Sequence, residues 1–228
     1  MEMNLRPLMF LGVSLLASSS LLPGSDLSQY REFHLGAPLA DVAKQAGMES
    51  SDTKVIVSRP ERIEELALRT ERPASGDSRP DSVREIRFRF YNKSLFEMMV
   101  AYDSGQTNGL TDADMTEALS AIYGASFVPV VKEMVFNSGY STTARVVAQW
   151  SDAENLVSLV GFPYGGGFGV VVSSNDNQTL ARRAIAESER LDRLEAPQRA
   201  LDDRAKQVAD AASRDEKSRL LNKPGFRP

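Results

Sequence analysis

The sequence predicts an α+β fold: two tandem helix-plus-antiparallel-sheet units followed by a C-terminal helical arm. Three observations carry this. Residues 83–103, VREIRFRFYNKSLFEMMVAYD, alternate apolar and polar side chains with the period of a half-buried hairpin. Two short amphipathic helices ending in glycine, LADVAKQAG and MTEALSAIYG, each precede three strand candidates. From Gln198 to Leu221 the composition turns Ala-rich and charged in both signs.

In chain order, Arg6 precedes an apolar run from Leu8 to Ala17 and the small residues Ser18, Ser19 and Ser20. That pattern reads as an export signal over residues 1–24, and the run is short for a bilayer span. The alternative is an apolar helix that stays and packs or anchors. Residues 25–110 form the first expected unit. Leu39, Val42, Ala43 and Ala46 share one helical face, with Pro38 suited to the first turn and Gly47 to the stop. Val55 to Val57 is either a short strand or a buried loop. Ile63 to Thr70 reads better as a strand joining the hairpin than as a helix, and Glu71 to Ser82 reads as a loop.

Within the hairpin, a two-residue loop at Asn92-Lys93 would set Phe88 opposite Glu97 and mix the faces. A three-residue loop, Asn92-Lys93-Ser94, sets Phe90 opposite Phe96, Phe88 opposite Met98, Ile86 opposite Val100 and Arg89 opposite Glu97. Ordering such a hairpin costs more than its own apolar side chains return, so its apolar face must be covered by other elements.

The second expected unit covers residues 111–176. Thr111-Asp112-Ala113-Asp114 matches a capping box, followed by a stripe of Met115, Ala118, Leu119 and Ile122 and a stop at Gly124. Strand candidates follow at Ala144 to Trp150, Asn155 to Phe162 and Phe168 to Ser174. Residues 177–228 form the arm. Leu180, Ala184, Ile185, Leu191 and Leu194 would dock it, and Pro197 is expected to interrupt it. Gln198 to Leu221 lacks a sustained heptad of large apolar residues, which favours a solvated helix over a coiled coil.

Composition excludes several chemistries. The chain has no cysteine and a single histidine, His34, so disulfides, thiolate metal sites, thiol catalysis, a lipid-carrying cysteine and multi-histidine metal centres are absent. A formal net charge of −4 argues against a general nucleic-acid binder. No cofactor or metal is expected. Asp112 and Asp114 read as helix-start acids rather than a catalytic pair. Residues 104–115 fail as an EF-hand, lacking the first Asp and the last Glu. His34 has no recognisable nucleophile beside it in sequence. Gly165, Gly167 and Gly169 precede strand-like Val170 to Val172 rather than a phosphate-binding helix. That glycine-rich turn carries Tyr164 and Phe168, the two residues singled out as partner-binding aromatics, with core or rim packing as the alternative.

The segments YREFHLG at 30–36, FYNKSLFEMMVAYD at 90–103, GLTDADMTEALSAIYG at 109–124 and the closing NKPGFRP resemble a group of exported bacterial proteins without an established activity. The resemblance implies export and carries over no site residue. The helix-then-sheet order is similar in architecture to β-lactamase inhibitor proteins and the small outer-membrane assembly lipoproteins. This implies an envelope protein that binds proteins. The expectation is therefore a periplasmic or extracellular, non-enzymatic module. It would bind an envelope protein partner and no nucleic acid, with no membrane span in the mature chain. The alternatives are a carboxylate-based hydrolase or lyase and a small-ligand or lipid carrier.

Overall fold

The computed structural model describes residues 26–70, 82–137, 141–163, 166–225 and 227. A small hairpin, β1 (Gln29–Tyr30) and β2 (Phe33–His34), leads into α1 (Leu39–Gln45) and a 3-10 turn at Ser50–Asp52. Four strands follow: β3 (Lys54–Val57), β4 (Ile63–Arg69), β5 (Val83–Tyr91) and β6 (Ser94–Tyr102). Then come α2 (Asp112–Tyr123) and four more strands: β7 (Glu133–Asn137), β8 (Ser141–Ser151), β9 (Asn155–Gly161) and β10 (Phe168–Ser174). The long α3 (Asn175–Asn222) closes the chain with a 3-10 turn at Lys223–Gly225. The export-signal segment and most of the 71–82 loop lie outside the described residues.

The last eight strands form one antiparallel sheet in the order β3-β4-β5-β6-β10-β9-β8-β7. Two meanders therefore meet along a seam between their last strands, where Val170 lies opposite Val100 and Val172 opposite Met98. The register aligns side chains into rows that cross six of the eight strands. One row runs Trp150, Val157, Val172, Met98, Phe88, Leu66, and the next runs Ala148, Leu159, Val170, Val100, Ile86, Leu68. Both face α1 and α2, which lay Leu39, Val42, Met115, Leu119 and Tyr123 on them to make the main core. The Trp150 indole N–H donates to the Gly124 carbonyl at 2.9 Å, anchoring the end of α2 to the sheet.

The hairpin departs from its expected register at one point. Asn92 and Lys93 both take positive φ, 48° and 73°, the conformation of a two-residue I′ turn, and Tyr91 faces Ser94. Phe90 then faces Leu95, and Phe96 is an extra, bulged residue, after which Arg89–Glu97, Phe88–Met98 and Ile86–Val100 pair as expected. The bulge turns Phe96 to the opposite face, where it packs with Val57, Ile63, Ala181 and Ala184.

Three further expectations change. β7 has no counterpart among the expected strands. On α2 the buried face is Met115, Leu119 and Tyr123, while Ile122 is exposed, because the Tyr123 hydroxyl reaches back to donate to the Gln29 carbonyl at 3.2 Å. Pro197 does not interrupt α3; it lies on the solvated part of the helix, where water can take the carbonyl its missing N–H leaves free.

The capping box forms. The Asp114 N–H donates to Thr111 Oγ1 at 3.2 Å, and the Thr111 N–H donates to the Asp114 carboxylate at 2.7 Å. The Thr111 N–H, and the Thr111 hydroxyl that also donates to the carboxylate at 2.7 Å, hold the Asp114 carboxyl below its ordinary value. Thr111→Ala is expected to cost about 1 kcal/mol, read as a lower denaturation midpoint, and Thr111→Ser to restore most of it.

Candidate functional site

The sheet face opposite α1 and α2 is divided into two unlike halves. Across β4, β5 and β6 it carries a ladder of charge. Arg89 donates to Glu65 and to Glu97, each at 3.1 Å, and Glu85 sits between Arg87 at 3.2 Å and Arg69 at 3.4 Å. Burial pushes the Glu85 carboxyl up, but Arg87 and Arg69 outweigh it and hold it below the ordinary value. Across β6, β10, β9 and β8 the same face is mainly apolar: Val171, Val160, Val146 and Ala144 are buried, with Met99, Met134 and Phe162 half-buried around them, and beside them the buried Gln149 amide donates to the Ser158 hydroxyl at 2.9 Å.

The α3 helix covers the charged side and leaves the apolar side open. It starts at the end of β10, and Gln178 donates to Glu97 on β6 at 3.0 Å. Ala181 and Ala184 then sit over Phe96, Ile63 and Val57. Arg59, in the β3–β4 connection, ends the docked stretch by binding Glu195 at 2.7 Å and Asp192 at 2.9 Å. Those carboxylates, Glu195 first, hold the Arg59 guanidinium above its ordinary value. The pairs are exposed enough to contribute little stability, and they serve to aim the helix. α3 therefore runs outward over the β3 edge, away from the apolar half.

A cleft of about 260 Å³ remains on the open side. Met99, Val160 and Val171 form its floor, Phe162 one wall, and Arg84 and Arg87 a basic rim. Arg84 is presented there because it is the extra residue of a bulge between Val83 and Glu85. The Phe162 ring lies against Gly169; a Cβ at that position would meet Phe162 Cε2 at 2.9 Å and the Val100 carbonyl oxygen at 2.6 Å. The volume is at the low end for a small-molecule site and suits side-chain anchors of a larger partner.

Of the two aromatics singled out in the sequence, Phe168 is half-buried and packs against the main core, and Tyr164 lies outside the described residues. Phe168 also borders a second, shallower cleft with Ser104, Thr107 and Arg145. Asp112 and Asp114 do not converge on a substrate site: Arg145 grips Asp112 with two hydrogen bonds, at 2.6 and 3.0 Å, while Asp114 caps α2. His34 is exposed, with Asp26 at 3.9 Å. Gly167 makes the turn before β10 with φ of +78°, and no helix follows it.

Among the described residues the most buried acid is Glu64, which is 1% exposed. Lys93 Nζ lies 2.8 Å from one carboxylate oxygen and donates to the other at 3.0 Å, and Arg62 lies 3.1 Å away. Burial pushes this carboxyl up, but Lys93 and Arg62 hold it below the ordinary value near 4.5. A lowered folded-state pKa means stability that is present above about pH 4.5 and is lost as the pH falls through the folded value. Glu64→Gln is expected to lower the melting temperature at neutral pH and to flatten its fall on acidification. An unchanged acid slope would show that the pair contributes nothing.

Among the described residues no group of three or more acidic or histidine side chains is placed to hold a metal ion, and no helix is long and apolar enough to cross a membrane. Comparison with protein-family models, with curated proteins and with solved structures returns no match for this chain.

Proposed function

We propose that the chain is a non-enzymatic protein-binding module of the cell envelope, and that its docking surface is the open apolar half of the sheet face, which Gly166 of the glycine-rich turn borders. The observation that carries this reading is the asymmetry of that face. One half is closed by α3, while the other keeps Met99, Met134 and Phe162 half-exposed over a buried valine floor, beside the basic Arg84. Half-exposed apolar anchors with a charged rim are the anatomy of a protein interface. The cleft's carboxylate, Glu85, is paired with arginines, which favours a structural over an acid–base role.

Two further parts of the reading rest on sequence and topology. Export is supported by the apolar run from Leu8 to Ala17 after Arg6. Descent from two tandem units, residues 25–110 and 111–176, is supported by the matching order of one helix and four antiparallel strands on each side of the seam.

Cross-linking capture from the envelope tests the docking surface. Met99→Glu and Arg84→Glu change half-exposed and exposed positions, so circular dichroism should be preserved. Capture of a partner by the wild-type chain and its loss in both variants is the expected result. Capture indifferent to both would remove the cleft from consideration and return attention to the turn bearing Phe168.

A further inference from the structure

We propose that the occupant of the open half of the sheet is the C-terminal arm of a second copy of this chain, in a reciprocal two-fold exchange. This rests on the reading of the cleft as a protein-docking surface and names its partner. Four features of the chain converge on it.

The first is precedent within the fold: the proximal part of α3 already closes the other half of the same face, through Ala181 and Ala184. The second is an unmatched surface. Beyond Arg59's grip on Glu195, α3 continues through Pro197 to Asn222 with every described side chain exposed. Leu194, Leu201 and Val208 are 62–65% exposed, and Leu201, Ala205, Val208 and Ala212 are spaced four, three and four residues apart, along one helical stripe. The alanines make this stripe too thin for a self-sufficient coiled coil, yet they suit close approach to a sheet, as Ala181 and Ala184 do.

The third is direction. α3 leaves the sheet centre over β6 and exits past β3, so its distal part points away from the cleft of its own chain. A second copy is not so constrained. The fourth is reach. The helix from Gln198 to Asn222 is about 37 Å long at 1.5 Å per residue. The open half from β6 to β7 is about 19 Å wide at 4.8 Å per strand. One arm therefore crosses it with length to spare. An isologous exchange uses the arm–cleft contact twice, which doubles the area buried by one contact. Asp202 flanks the stripe and gives Arg84 a partner of opposite charge.

The test is the solution mass of the whole purified chain over a range of concentrations. It compares wild type, an arm variant (Leu201→Asp with Val208→Asp) and a cleft variant (Met99→Glu). The altered arm positions are exposed, so the fold should survive, with circular dichroism as the check. The expected result is twice the 25.0 kDa chain mass for wild type and the single mass for each variant alone. An equimolar mixture of the two variants should regain a heterodimer, because one intact arm then meets one intact cleft. Wild type that stays at single mass at every concentration overturns the proposal. So does a dimer that survives Met99→Glu but not the arm variant, since the arms would then pair with each other. Either of those outcomes together with Met99-dependent capture of another envelope protein would leave the docking reading standing without the self-exchange. Indifference to Met99 in both assays would sink both.

Discussion

Phe88→Ala is expected to cost about 3–5 kcal/mol, among the large single-residue losses in the molecule. Phe88 is fully buried, lies between Met98 and Leu66 in a row that crosses the sheet, and meets the Phe33 ring at 4.6 Å between centroids. Removing the ring leaves a void bounded by strands whose register is locked on both sides, so collapse around it is limited. Urea denaturation should show a lower midpoint with an unchanged slope. The control is Ile122→Ala. From helical periodicity alone Ile122 belongs to the buried stripe and its truncation would be costly. At 63% exposed, it should change stability by less than about 0.5 kcal/mol. Equal losses at the two sites would contradict the packing described for α2 and β5.

The second large effect is expected at Gly169, which is essential for a steric reason. A methyl group there would sit 2.6 Å from the Val100 carbonyl oxygen, a backbone atom of the neighbouring strand. Relief requires β10 to move off β6, and that pairing is the seam joining the two halves of the sheet. Gly169→Ala is expected to cost about 1–3 kcal/mol. It should also raise amide exchange at the seam, near Val100 and Val170, more than in the β4–β5 pairing. Because Phe162 rests on Gly169, the cleft should change shape as well, and binding through it should weaken beyond what the stability loss explains. An alanine variant with wild-type stability and exchange would mean that the seam has slack.

Much of the fold is legible in the sequence because it is local. The capping box, α1, the β4 strand and the β5–β6 pairing from Arg89–Glu97 to Ile86–Val100 all follow from short-range pattern. What is not legible is decided by long-range packing. Counting residues across the turn favours a three-residue loop. The chain instead combines a two-residue turn with a bulge, since Phe96 gains burial on the other face beneath α3. Tyr123 displaces Ile122 from the buried face because the N-terminal hairpin comes within reach of its hydroxyl. β7 is a short edge strand whose Val135 is exposed, so apolar–polar alternation does not mark it. The cleft is the least legible feature: Met99, Val160 and Val171 belong to three strands and meet only through the seam. One signal was available. LVSLV in β9, broken only by Ser158, and VVV in β10 are apolar at successive positions, the mark of strands buried on both faces. The two short helices serve only one face.

The seam has a consequence for how the chain is made. Its two strands are far apart in synthesis: β6 ends at Tyr102 and β10 begins at Phe168. At about 5–20 residues per second, β6 leaves the ribosome roughly 3–13 s before the strand that pairs with its free side. During that interval the first meander displays an unpaired edge at what becomes the middle of the sheet, with Met98 and Val100 along it. Such non-local pairing slows folding. A nascent chain stalled or cut before Phe168 thus carries an adhesive edge that the finished molecule hides. The cell must cover that edge, keep the chain unfolded, or degrade it.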